Sequence, residues 1–313
     1  MAIPSVDLAE FLNGDAEAKA AFVQQLGKAY EEVGFVAVKN HGVPDELIAD
    51  LYKYVQEFFS LPLEQKRTYE IPELAGQRGY TSFGKEHAKG SEAPDLKEFF
   101  QYGQTPRENY KEEEYPPNVL VKEVAGFDKT FADAYRAFEK SGTALLQAIA
   151  LYLNLDEHYF DEYVFNGNSI LRSIHYPPIT NEPKSAIRAE QHEDINLITL
   201  LVGASADGLQ ILTKQHEWVG VTSLPDQIVV NVGDMLQRFT NNKLRSTTHR
   251  VVNPARELWH TSRFSIPFFL HPQSSMSLRC LHTCIDSEHP KLYEDATAGE
   301  YLDERLREIG LKK

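Results

Sequence analysis

Cysteine is nearly missing from this chain: of 313 residues, only Cys280 and Cys284 carry a thiol. Two thiols are too few for a disulfide framework, and that scarcity fits a reducing compartment. Long apolar runs are missing as well. No stretch approaches the roughly 20 residues of a membrane span, and the opening "MAIPSVDLAEFLNG" lacks the basic start and apolar run of a secretory leader. The expectation is a cytoplasmic protein with no membrane partner. Positive charge is also in short supply, with 32 Lys and Arg against 46 Asp and Glu, a formal charge of −14. Phosphate backbones are repelled by most of such a surface, so no nucleic-acid partner is expected, and a small anionic ligand needs a local cationic anchor. What the chain does have is apolar material, 42% of its residues, ample for a packed core.

Phe22, Leu26, Ala29, Tyr30 and Val33 recur at helical spacing and stop at Gly34, a C-terminal cap residue. A strand, "FVAVKN", follows at once, and the turn "NHGVP" leads into a second amphipathic helix with Leu47, Leu51, Val55 and Phe58, ending before Pro62. His41, in that turn, has no carboxylate or second histidine in company and reads as a packing residue. Residues 72–118 read as loop with short strands, and their charge run "ENYKEEEYPP" as a solvated face. A helix over about 129–153 carries Phe131, Tyr135, Phe138, Leu145 and Ile149 toward a core. From Ser169 the period changes to eight short β-rich runs, "SILRSIHY", "NLITLLV", "GLQIL", "EWVGV", "QIVVNV", "DMLQRF", "THRVV" and "SRFSIPFFL", the pattern of a sandwich or barrel. Thr297 and Glu300 predict a capping box for a closing helix. No repeat or linker interrupts the chain. The expected architecture is α+β with a mainly β core, divided into an N-terminal mixed helical region over 1–160, a β core over 161–275 and a C-terminal strand and helix extension over 276–313.

In "CLHTC", strand spacing puts Cys280, His282 and Cys284 on one face, but a closed zinc site wants four ligands and none is obvious nearby. Two thiols acting as small hydrophobes is the better reading. In "RAEQHEDINLITLLV", by contrast, His192 and Asp194 stand one residue apart where a polar stretch turns apolar. On a strand they share a face, with Glu193 turned away. His249 in "RSTTHRVVNP", 55 positions beyond Asp194, is the candidate third ligand. Two histidines and one carboxylate make the facial triad of non-haem Fe(II) enzymes, with positions left open for substrate and O2. In "SRFSIPFF", Arg263 and Ser265 share a strand face, offering a guanidinium fork and a hydroxyl to a carboxylate. Tyr176, before two prolines, offers a phenol.

With these motifs in hand, "HED", "THRVV" and "RFS" resemble the metal and anchor motifs of the isopenicillin N synthase-like Fe(II)/2-oxoglutarate-dependent oxygenases. The likeness continues in "IPSVDLAEF", "EEVGFVAVKNHGVP", "FFSLPLEQK" and "VNVGDMLQRFTNN", and so spans the chain. The resemblance implies a double-stranded β-helix (jelly roll) with flanking helices, iron on His192, Asp194 and His249, and 2-oxoglutarate held by Arg263, Ser265 and Tyr176. It implies oxidation of a small-molecule substrate by hydroxylation, desaturation or cyclisation, with O2 consumed and succinate and CO2 released. It also places Arg78, Tyr80, Lys97 and Gln101, from "GQRGYTSFGKEHAKG" and "DLKEFFQYG", on the substrate side of the pocket. Two alternatives stand beside it. One is an oxidase like isopenicillin N synthase itself, which does not use 2-oxoglutarate, although "EIGLKK" lacks that synthase's C-terminal glutamine. The other is an inert ligand-binding module, which should have lost part of the triad or anchor.

Overall fold

Aspartate side chains start the first two helices. β1 (Ser5–Asp7) runs straight into α1 (Leu8–Asn13), where the Asp7 carboxylate accepts from the Ala9 amide at 2.9 Å, and Asp15 does the same for Ala18 at the head of α2 (Ala16–Glu32). α2 stops at Gly34, whose φ of 76° suits only glycine well and whose added Cβ would lie 2.4 Å from the Arg245 carbonyl oxygen. The chain continues through β2 (Phe35–Lys39), α3 (Asp45–Phe59), α4 (Leu63–Arg67), β3 (Gly79–Thr81) and β4 (Glu98–Gly103). The long α5 (Phe127–Tyr152) and short α6 (Asp161–Val164) precede β5 (Ile170–Tyr176), β6 (Ala189–His192), β7 (Ile198–Val202), β8 (Leu209–Leu212), β9 (Trp218–Gly220) and β10 (Gln227–Val232). Last come α7 (Asp234–Phe239), β11 (His249–Val251), β12 (Arg263–Leu270) and α8 (Ala298–Glu308). This computed structural model describes residues 3–74, 76–85, 95–108, 110, 114–183, 185–203, 207–222, 224 and 226–308. No described helix is long and apolar enough to cross a membrane.

The strands form an eight-stranded sheet in the order β1-β2-β10-β7-β12-β5-β4-β3 and a four-stranded sheet in the order β6-β11-β8-β9, the two layers of a jelly roll. β1 to β4, from the N-terminal half, complete the larger sheet on both flanks. Period-two alternation then sorts side chains. On β12, Phe264, Ile266, Phe268 and Leu270 belong to the main apolar core or pack against it, whereas Arg263, Ser265, Pro267 and Phe269 line a cavity of about 600 Å³. On β5 the cavity takes Ile170, Arg172, Ile174 and Tyr176. α5 backs the core face, with Phe138 stacked on Phe268 at 5.6 Å and Gly142 seated where a Cβ would come within 2.8 Å of Leu270.

Three expectations need correction. "DMLQRF" is α7, not a strand, because Met235, Leu236 and Phe239 are buried at helical spacing, and a run this short fits either period. "CLHTC" is not a strand either: His282–Cys284 form a 3-10 turn and Cys280 is buried with its thiol on the Arg238 carbonyl, so the three side chains share no strand face. "HEDINLITLLV" is not one strand: β6 ends at His192 and β7 begins at Ile198 in the other sheet, so Asp194 lies on the crossing between layers. His41 is a buried turn residue, as expected, its Nδ1 accepting from the Val43 amide. Part of the 108–117 charge run and residues 86–90 of the pocket loop lie outside the described residues.

Candidate metal centre and co-substrate pocket

β6 and β11 are antiparallel neighbours, and their register makes His192 and His249 direct partners. That pairing brings two histidines 57 positions apart to a ring separation of 4.4 Å. The strand-to-strand crossing then carries Asp194 beneath them, with Oδ1 4.0 Å from His192 Nε2 and 3.7 Å from His249 Nε2. All three donor atoms lie within 4.8 Å of one another.

The surrounding hydrogen bonds leave the right atoms available. His192 Nδ1 donates to the Glu190 carbonyl at 2.6 Å and His249 Nδ1 to the Thr247 carbonyl at 3.0 Å, so each Nε2 presents a lone pair toward the centre. Asp194 Oδ2 accepts from Thr199 Oγ1 at 2.6 Å and Asn231 Nδ2 at 2.8 Å, leaving Oδ1 to face the histidines. Burial alone would raise the Asp194 carboxyl, but the two imidazoles, Asn231 and Thr199 outweigh it and hold the group below the usual carboxylate range. Burial, followed by the neighbouring His249, lowers His192, which favours the neutral imidazole a metal requires. Between the ligands, Glu193 turns to the Thr248 hydroxyl. Two imidazole nitrogens and one carboxylate oxygen, with no thiolate, suit a non-haem ferrous ion.

Comparison with known proteins decides the family. Residues 167–272 match the 2OG-Fe(II) oxygenase superfamily, and residues 3–123 match the family described as non-haem dioxygenase in morphine synthesis N-terminal. The proline hydroxylase buaE of Petromyces alliaceus is 35% identical, over 98% of this chain and 99% of its own. The chain belongs to the 2OG-Fe(II) oxygenase superfamily. It is an Fe(II)- and 2-oxoglutarate-dependent dioxygenase, an oxidoreductase. The 2-oxoglutarate-Fe(II) type oxidoreductase hxnY of Emericella nidulans is 30% identical over 99% of this chain and 92% of its own. Among solved structures, a 2OG-Fe(II) oxygenase family protein of Caulobacter crescentus superposes with a TM-score of 0.88 at 38% identity, covering 98% of this chain and 99% of that one. A full-length Neurospora crassa protein in complex with alpha-KG and thymine superposes at 0.86 with 29% identity, covering 97% of this chain and 96% of its own.

The second half of the oxygenase pocket lies across the cavity. Arg263 opens β12 opposite Tyr176, the last residue of β5, with its guanidinium carbon 5.0 Å from the Tyr176 ring centre. Ser265, Tyr176 and Arg263 all line the cavity that the triad lines, and Arg263 is 1% exposed. A buried guanidinium beside a hydroxyl and a phenol is a set of donors that a carboxylate can accept from.

The four substrate-side residues separate into two pairs. Lys97 and Gln101 line the cavity, Lys97 paired with Asp95 at 2.7 Å and Gln101 accepting from Arg172 Nε at 2.9 Å. Arg78 and Tyr80 do not. The Tyr80 phenol donates to Glu98 within an aromatic cluster around Phe58, and the Arg78 guanidinium fills the space over Gly103, where a Cβ would lie 1.9 Å from it. The larger partners on the core face claimed these side chains, and the expectation for both is corrected. Several functional neighbours were not singled out in the sequence. Thr199 and Asn231 orient Asp194, Arg172 lies over Phe99 at 4.3 Å, His271 lines the wall, and α8 adds Leu302, Arg305 and Leu306. Asn231 left one signal, a polar residue inside the apolar run "QIVVNV".

Proposed function

We propose that His192, Asp194 and His249 hold the iron of this dioxygenase, and that Arg263, Ser265 and Tyr176 receive the distal carboxylate of 2-oxoglutarate. The primary substrate is then a small polar molecule that meets Lys97, Gln101 and Arg172. The observation that carries the assignment is the division of labour within the triad: every ligand atom not facing the centre is already hydrogen-bonded. Iron held there would supply O2 activation and the coupling of keto-acid decarboxylation to oxidation of the substrate.

The protein's own groups do the rest. Asn231 and Thr199 keep the Asp194 carboxylate ionised and fixed in direction, which preserves the ligand set when the cavity is dry. The Arg263 fork sets the orientation of the keto acid, so that its reactive end is the one facing the triad. Phe269, Ile170 and Ile174 exclude water from the same space, which limits oxidant that turns over without substrate. Gln101 and Arg172, hydrogen-bonded to each other, form a polar part of the cavity wall.

Proline and thymine, named in two relatives, are both small, polar and hydrogen-bonding, and define the classes to try first: amino acids and nucleobases. A screen for substrate-stimulated succinate release from 2-oxoglutarate under air tests the reading. Release that rises with one compound and disappears in Asp194→Ala supports it, whereas release unaffected by Asp194→Ala removes the metal assignment.

A further inference from the structure

The two largest fully buried side chains are both arginines, Arg188 and Arg263. They approach the same phenol ring, their guanidinium carbons 5.9 and 5.0 Å from the centre of Tyr176. Arg188 comes immediately before β6, at the other end of the strand that delivers His192. Its Nη2 donates to the Thr261 carbonyl at 3.1 Å, while its Nε is buried with no hydrogen-bond partner. Among the described residues, no carboxylate pairs with it.

A buried guanidinium without a counter-charge is an expensive thing to keep. Burial and then the charge of Arg263 lower Arg188 to about 10, which still leaves it a cation at neutral pH. Its described polar partners are the Thr261 carbonyl and the face of Tyr176, and neither neutralises the charge. Arg188 does not itself line the cavity. Its field does reach it, because in a poorly solvated interior a charge acts over distances at which bulk water would screen it.

We propose that Arg188 is a second, remote cation of the co-substrate site, whose charge raises affinity for keto acids bearing a distal carboxylate and whose contact with Tyr176 steadies that anchor. This rests on the reading that Arg263, Ser265 and Tyr176 receive that carboxylate. Arg188 is here a positioning and electrostatic residue, not a catalytic one.

Calorimetric titration of the full chain loaded with Mn(II), without O2, tests it using two probes: 2-oxoglutarate and 2-oxopentanoate, which keeps the keto-acid end but lacks the distal carboxylate. Arg188→Met should weaken 2-oxoglutarate binding roughly tenfold while leaving 2-oxopentanoate unchanged. Arg188→Lys, which keeps the charge, should stay within about threefold of the parent. Arg188→Gln is a second charge-removing variant should the methionine fail to fold, and it too should discriminate between the probes. The proposal is overturned if a folded Met or Gln variant binds 2-oxoglutarate like the parent, or weakens both probes equally. If Arg263→Lys also leaves 2-oxoglutarate binding intact, the anchor reading beneath the proposal has failed instead.

Discussion

At the scale of single residues, the site separates groups that touch a ligand from groups that aim them. Asn231 and Thr199 belong to the second kind, since both donate to the Asp194 oxygen that faces away from the histidines. Removing such outer partners typically lowers metal affinity about 10- to 100-fold. Asn231→Ala should therefore bind Fe(II) at least roughly tenfold more weakly, by competition with a chelator, in a protein that still folds. In the proposed site Arg263 belongs to the first kind. Lysine keeps its charge but loses the paired parallel hydrogen bonds, and disrupting a buried charged pair costs about 2–5 kcal/mol. Arg263→Lys should weaken 2-oxoglutarate binding by roughly tenfold or more, on the scale where about 1.4 kcal/mol is a factor of ten, with iron affinity retained. Ser265→Ala should weaken it less. Equal binding by parent and lysine variant would make Arg263 a structural arginine.

At the scale of elements, what was legible in the sequence depended on whether the information was local. Arg263 and Ser265 face the cavity together because residues two apart on a strand share a side. His192 and Asp194 converge for a different reason from the one their spacing implies. β6 has ended by Asp194, and the crossing between sheets supplies the approach that a continuous strand was expected to give. Arg78 and Tyr80 were misplaced because the face an edge strand shows is chosen by neighbours far away in sequence, here Glu98, Phe58 and Gly103. The contribution of α8 was equally invisible. Its capping box was readable, and Thr297 and Glu300 do exchange hydrogen bonds at 2.8 and 3.2 Å. That the helix reaches the cavity depends on Tyr301 and Arg305 both meeting Asp234, at 3.0 and 3.7 Å. Thr297→Ala should cost about 1 kcal/mol of helix stability. Hydrogen exchange over Ala298–Glu308 should accelerate accordingly, with exchange in β12 unchanged. Equal acceleration in both would mean that α8 does not open on its own.

At the scale of the whole molecule, an acidic protein encloses a cavity lined by Lys97, Arg172, Arg263 and Arg305 together with Asp95, Glu193 and Asp194. Its stability should carry a mark of that interior. His271 lines the cavity wall, and burial lowers it from 6.5 to about 4. The unfolded chain therefore binds a proton at this position that the folded chain refuses, between pH 6.5 and about 4. Stability is complete above that window and falls as pH drops through it, by up to about 3 kcal/mol from this group. Denaturant titrations of the metal-free chain and of His271→Gln should show the two curves converging in acid, the variant having the shallower slope. Parallel curves would place His271 in contact with solvent.

The central claim is that one ferrous ion, bound by His192, Asp194 and His249, accepts 2-oxoglutarate in this cavity. Its most direct test is the visible spectrum of the protein under anaerobic addition of Fe(II) and then 2-oxoglutarate, followed in the parent and in His249→Ala. The account predicts a weak charge-transfer band in the parent that saturates at one equivalent of iron and is absent from the folded variant. A band of equal strength in His249→Ala, or none in the iron-loaded parent at saturating keto acid, would contradict it.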